Sequence, residues 1–229
     1  MASYVKTRFE VYGKKNDVQK FIAFISSETS DFDFNNVIPM PKELDMDFGT
    51  AEMESLVYYC MKNGLDPKTF DKLGSFTRFT IPEMEKRFRE IGKEPEEYYK
   101  LGEQYYKNYQ KYGYTSWYSW CIEHWGTKWN ALNIDFNGMY PINPETDKYA
   151  ANYEFDTVWT EPFAVFEEII EKFPELEFEM VSAGENYSEA TIVRGKDGEL
   201  DFDEFEGDKA HDMAVEIWGY DPDEEEEEC

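Results

Sequence analysis

The sequence predicts an α+β protein: an antiparallel sheet with helices packed on one face, interrupted by a large helical insertion. Three observations carry that class. Apolar–polar alternation opens the chain and returns after residue 125, amphipathic helical stripes follow two of those segments, and helical signals fill 51–125.

"VKTRFEVYG" sets Val5, Thr7, Phe9 and Val11 on one face and Lys6, Arg8 and Glu10 on the other, the pattern of a half-buried strand. Gly13 turns the chain into "NDVQKFIAFIS", where Asn16 is a candidate cap with Gln19 three residues on. Val18, Phe21, Ile22 and Ile25 form one stripe there. "FDFNNVIPMPKEL" is expected to be extended, because Pro39 and Pro41 bias the residues before them away from helix. Four helical segments follow. "AEMESLVYYCMKNG" stops at Gly64, and "IPEMEKRFREIG" runs from Pro82 to Gly92. "EPEEYYKLGEQYYKNYQKYG" is polar and rich in tyrosine, and "TSWYSWCIEHWG" brings Trp117, Trp120 and Trp125 together.

Strands return with "TKWNALNIDFNG", alternating through Leu132, Ile134 and Phe136, and with "NYEFDTVW", through Tyr153, Phe155 and Thr157. From Pro162 a helix shares Phe163, Phe166, Ile169, Ile170 and Phe173 on one face. "ELEFEMVS" opposes Leu176, Phe178 and Met180 to Glu175, Glu177 and Glu179. "SEATIVRG", a turn at Asp197-Gly198 and "ELDFDEFE" then read as a hairpin. "HDMAVEIWGY" fits a short helix or a strand equally well. Without the insertion the order is strand, helix, strand, strand, helix, strand, the ferredoxin-like split βαβ. The expected organisation is therefore residues 1–50 as the first half of that domain and 51–125 as the insertion. Residues 126–220 form the second half with its acidic hairpin, and 221–229 a disordered acidic tail.

Hydrophobic residues at 41% and aromatics at 18% are ample for a core. Charge is lopsided, with 50 acidic against 23 basic residues and a formal net of -27. From Asp197 onward there are sixteen acids and Lys209 as the single base, so over half the excess lies in one terminal stretch. Such a field repels nucleic acid and steers the protein toward basic partners. Three cysteines without CxxC spacing fit reduced thiols, and no apolar run reaches membrane-spanning length; both point to a cytoplasmic protein.

"NVIPMPKEL", "HWGTKWNA" and "FDTVWTEPFAVFEEIIEKFPELEFE" resemble segments of the YubB-like ferredoxin-fold proteins of plasmids and phages, in the same order and spacing. The resemblance covers roughly residues 3–45 and 118–200 and leaves out the acidic end. It implies a fold and a mobile-element origin, and it carries over no catalytic residues. Within "WGTKWNA", Gly126 permits a sharp helix-to-strand bend, Trp125 and Trp129 wedge the corner, and Asn130 serves backbone groups; Lys128 is a lone candidate anion contact.

No constellation for chemistry emerges. His124 and His211 lie in different elements, and the sequence offers no zinc-ligand spacing. Cys121 and His124 are three apart on a helix, with no third group indicated to orient them. An EF-hand beginning at Asp201 fails, since Phe205 falls at position five and Gly207 at position seven. No phosphate-binding glycine loop occurs. Catalytic residues, metal ligands and cofactors are accordingly assigned as none, and the protein is expected not to be an enzyme. What remains is "ELDFDEFEGD", where phenylalanines among the acids suggest a docked segment. The expected partner-binding residues are Glu199, Asp201, Asp203, Glu204, Glu206 and Asp208, joined by Glu175, Glu177 and Glu179, with Tyr105 and Trp117 as aromatic anchors. The expected function is a phage or mobile-element accessory protein of anti-CRISPR or anti-restriction type. Its acidic surface would mimic nucleic acid in the basic groove of a CRISPR effector or restriction enzyme, in the host cytoplasm. The alternative is a non-inhibitory interaction module that binds through the aromatic insertion.

Overall fold

The computed structural model describes residues 3–70, 76–143 and 145–222. Described residues up to Pro39 and from Cys121 onward form one unit, and Met40–Trp120 form a second.

In the first unit, β1 (Tyr4–Lys14), β2 (Leu132–Asn143), β3 (Lys148–Val158), β4 (Glu177–Gly184), β5 (Glu189–Lys196) and β6 (Glu199–Glu206) build one sheet. Its order is β2-β3-β1-β4-β5-β6, and every neighbouring pair is antiparallel. The alternation in β1 decides its faces. Val5, Thr7, Phe9 and Val11 are buried, and Phe9 meets the rings of Phe21, Phe32, Phe166 and Phe178. Phe21 comes from α1 (Lys15–Ile25) and Phe166 from α7 (Phe163–Lys172), so these two helices cover one face of the sheet. Burying each such ring contributes about 1.5–3 kcal/mol.

Three expectations need correction. Helices do not keep to one face: "HDMAVEIW" lies in α8 (Asp208–Trp218), which ends at Gly219 and packs Ala210 and Ala214 with Ala183, Tyr187 and Ala190. Its Glu216 pairs with Arg8 at 3.0 Å and its Trp218 sits under Lys6, both on the polar side of β1. Helix α1 starts at Lys15 with Lys14 as its N-cap residue, so Asn16 lies inside the helix and caps nothing. The proline segment is also not fully extended, because α2 (Phe34–Val37) and a 3₁₀ turn at Lys42–Leu44 interrupt it. The reason is local. Asp33 accepts the Asn35 amide at 3.0 Å and caps α2 ahead of both prolines.

That cap ties "WGTKWNA" to the core. Asn130 accepts the Phe34 and Ala131 amides, both at 2.9 Å, and donates to Asp33 at 2.8 Å. Gly126 sits at φ +79°, a conformation that a side chain disfavours, and Trp125 donates to the Ile38 carbonyl at 2.9 Å.

The second unit is helical: α3 (Thr50–Lys62), α4 (Ile81–Glu90) and α5 (Pro95–Tyr112); the division between the units falls within α6 (Trp117–Trp125). Thr80 and Glu83 form a capping box at α4, and Gly113 ends α5 in a left-handed cap. Leu56, Tyr58, Phe88, Tyr98 and Tyr105 make its core. Helices α3 and α5 approach so closely at Gly102 that an added Cβ would lie 2.0 Å from the Ser55 carbonyl oxygen.

Two outcomes follow from this packing. Gly102→Ala lowers stability by about 1–3 kcal/mol in urea unfolding, despite the roughly 1 kcal/mol that alanine gains as a helix former; a stabilised variant would contradict the close approach. At Asp33, burial acts to raise the carboxyl pKa, but hydrogen bonds from Asn130, Asn35 and Ser27 outweigh it and hold the group below the ordinary range. The ionised form therefore stabilises the fold above the unfolded-state value, and that contribution disappears as pH falls through the folded-state value. Asp33→Asn is accordingly less stable than wild type at neutral pH. The gap closes below about pH 4, as followed by thermal melts across pH.

Candidate partner-binding surface

The acidic hairpin is built into the sheet. Asp197 and Gly198 both have positive φ, 53° and 79°, the geometry of a tight two-residue hairpin turn. From there β6 pairs with β5 in unbroken register, from Lys196↔Glu199 to Glu189↔Glu206. It is an edge strand of the sheet.

Register distributes the carboxylates between two faces. Val193 lies opposite Met180, which in turn lies opposite Phe9, so Phe202, the partner of Val193, belongs to the α1/α7 face. Leu200, Glu204 and Glu206 share that face, and Glu199, Asp201, Asp203 and Phe205 share the other. The phenylalanines hold the strand from both sides. Phe202 meets Phe163 of α7 edge-on at 5.4 Å although 48% of it is exposed, and Phe205 packs against the α8 cluster beneath the Lys209 ammonium.

On the α8 face, Glu177 and Glu179 of β4 join the hairpin acids, and two bases of β5 stand between the rows. Arg194 reaches Asp203 at 2.9 Å and Glu179 at 3.6 Å, and Lys196 reaches Glu177 at 2.9 Å. Their electrostatics agree. The Asp203 hydrogen bond pushes the Arg194 pKa up, and the Lys196 hydrogen bond holds Glu177 below the ordinary carboxylate range. Five carboxylates against two cations leave this face anionic, with its free charge concentrated on Glu199 and Asp201 at the rim. Beyond β4, Glu10 continues the row and accepts a hydrogen bond from Tyr12.

On the opposite face, Glu204 and Glu206 line a cleft of about 280 Å³ with Glu161, Glu189 and Trp159. Among the described residues, none of these four glutamates takes part in an ion pair within 4 Å. Glu189 and Glu206 stand directly across the ladder, an arrangement of like charges that costs stability.

The remaining candidates separate from this surface. Glu175 lies in the turn before β4, and Asp208 in the first turn of α8, where a carboxylate suits the positive end of the helix. Tyr105 is not an anchor. Its ring is wholly buried and its hydroxyl donates to the Asp47 carbonyl at 2.6 Å, so it presents nothing to a partner. Trp117 is half-buried beside Phe48 and Tyr118. Residues from 223 onward, most of the expected tail, lie outside the described residues.

Sequence reasoning missed Arg194 and Lys196 as the cations between the acidic rows, and Glu161 and Glu189 as partners of Glu204 and Glu206. The i, i+2 spacing of "RGK" immediately before the hairpin turn was the available signal for the two bases. Burial pushes the Cys121 thiol up to about 12 and the Cys60 thiol to about 11, which keeps both protonated at neutral pH. The Lys128 ammonium lies over the rings of Trp129 and Trp159, at 4.5 and 5.1 Å. Among the described residues no group of three or more His, Cys, Asp or Glu side chains is placed to hold a metal ion. No helix there is long and apolar enough to cross a membrane.

No protein-family model matches the chain, and no curated protein sequence matches it significantly. Among solved structures, the crystal structure of api92 from Yersinia pseudotuberculosis, a protein of the DUF1281 family, is similar to it at 10% identity. The TM-score is 0.45, and the match covers 90% of this chain and 98% of that one.

Proposed function

We propose that this protein is a non-enzymatic inhibitor carried by a phage or plasmid, which presents its acidic edge strand to the basic groove of a nucleic-acid-binding defence complex in the host cytoplasm. The scaffold is read as a ferredoxin-like split βαβ of the YubB-like kind. The order β2-β3-β1-β4 supports this, with α1 leading toward β2 and α7 linking β3 to β4; β5, β6 and α8 then extend it. One observation carries the functional reading. Strand β6 is paired along its whole length, so its carboxylates sit on fixed backbone positions.

Carboxylates two residues apart on one face of a strand are spaced by about 6–7 Å, a regular anionic row for Lys and Arg side chains that otherwise grip phosphates. Arg194 and Lys196 neutralise the inner part of one face, so the contact is assigned to the outer rim, Glu199 and Asp201, and to the uncompensated glutamates of the opposite cleft. A partner of this kind is a CRISPR effector or a restriction enzyme. The formal charge of -27 opposes direct nucleic-acid binding by the protein itself.

The test is binding to purified effectors across a salt series, with wild type and a Glu199→Lys, Asp201→Lys, Glu204→Lys variant. Wild-type affinity falls steadily as salt rises, and the charge-reversed protein binds at least about 100-fold more weakly. Affinity that ignores both salt and charge reversal would overturn the proposal.

A further inference from the structure

Helix α3 carries two buried glutamates, and their surroundings differ. Glu54 is 2% exposed and is neutralised by Arg87, whose Nε lies 2.6 Å from Oε1. Glu52 is 6% exposed, and no described Lys or Arg of the helical unit lies within ion-pair distance of it. Its Oε1 accepts hydrogen bonds from the Thr115 and Ser116 hydroxyls, and Oε2 accepts one from the Gly49 amide at 3.3 Å. A carboxylate oxygen takes about two such bonds, so Oε2 keeps acceptor capacity. Glu52 is also the third residue of α3 and closes a capping box there, so the helix N-terminus supplies partial positive charge but no full counter-charge. Removing such a charge from water without a counter-ion is costly.

Glu52 also lines a cleft. About 290 Å³ of space lies within the helical unit, walled by Met53, Leu56 and Phe70, with Glu52 as its one carboxylate among hydroxyl-bearing residues that include Thr69, Thr115 and Ser119. That volume sits at the lower end of ligand pockets, so the occupant is small. Apolar walls select an aliphatic stem, and a carboxylate with no described Lys or Arg paired to it selects a cationic head and repels an anionic one.

We propose that this cleft binds a primary ammonium or guanidinium carried on a short aliphatic stem, with Glu52 as the counter-charge. The chemistry is shared by small alkylamines and by Lys or Arg side chains of a protein. The site belongs to the helical unit alone and does not depend on the function proposed for the edge strand.

The test uses the intact protein with ¹³C-methyl-labelled methionine, with the Met53 methyl as reporter. The probes are n-butylamine, n-butylguanidine, the neutral isostere 1-butanol, and glycine-flanked peptides with a single Lys or Arg, each titrated to about 10 mM. Both small cations shift Met53 saturably, and butanol binds at least about tenfold more weakly. In Glu52→Gln, which keeps side-chain size and the hydroxyl partners, cation affinity falls to the level of butanol. Equal binding of amine and alcohol, no saturable shift with any cation, or undiminished cation binding by Glu52→Gln would each overturn the site. Should that variant not fold, the wild-type comparison of amine with alcohol decides alone. Peptides that bind more tightly than butylamine mark a protein side chain as the occupant, and the reverse order marks a free amine; either result supports the site.

Discussion

The ladder between β5 and β6 is the interaction on which the acidic surface depends. Without it, "ELDFDEFE" is a highly charged segment whose carboxylates would spread apart in water. With it, each acid has a fixed face and height. The ladder itself rests on three local devices: a turn whose two central residues both adopt positive φ, two phenylalanines that clamp the strand from opposite sides, and the pair of Arg194 with Asp203. Removing Arg194 and Lys196 would leave rows of carboxylates facing one another across a strand, with little to offset their repulsion.

An acidic edge strand also has a simpler use. A row of Glu and Asp on an exposed edge discourages pairing with another sheet, and the protein gains that protection whether or not it meets a basic partner. Edge protection alone, however, does not call for the cluster on the α7 side. There Glu189 and Glu206 oppose each other, and Glu161 and Glu204 add to the same cleft. A charge pattern that costs stability and is left uncompensated is the feature that favours a cationic partner. In the helical unit Glu54 is paired with Arg87, whereas Glu52 has the α3 N-terminus, two hydroxyls and an amide but no described Lys or Arg.

Much of the sheet was legible because period-two alternation survives burial. Val5, Thr7, Phe9 and Val11 fall on the buried face, and the Asp197-Gly198 turn follows from backbone preferences that need no tertiary information. Helix α8 was ambiguous, because its buried residues are the two alanines Ala210 and Ala214, which give a weak stripe. The proline-bearing segment after α1 misled because a side-chain cap at Asp33 outweighs proline statistics a few residues downstream. Tyr105 was misplaced for another reason. Tyrosine composition cannot distinguish an interface ring from a core ring whose hydroxyl has found a backbone carbonyl. The site was only half visible: the acids announce themselves, but their division between two faces and the interleaved cations depend on register across three strands.

Amide hydrogen exchange along β6 tests the central claim most directly. If the strand is a fixed part of the sheet, its amides bonded to β5 exchange at least about 100-fold more slowly than in an unfolded chain and are lost together with those of β5. Exchange of β6 at unfolded-chain rates, with β4 and β5 still protected, would mean that the carboxylates occupy no fixed array.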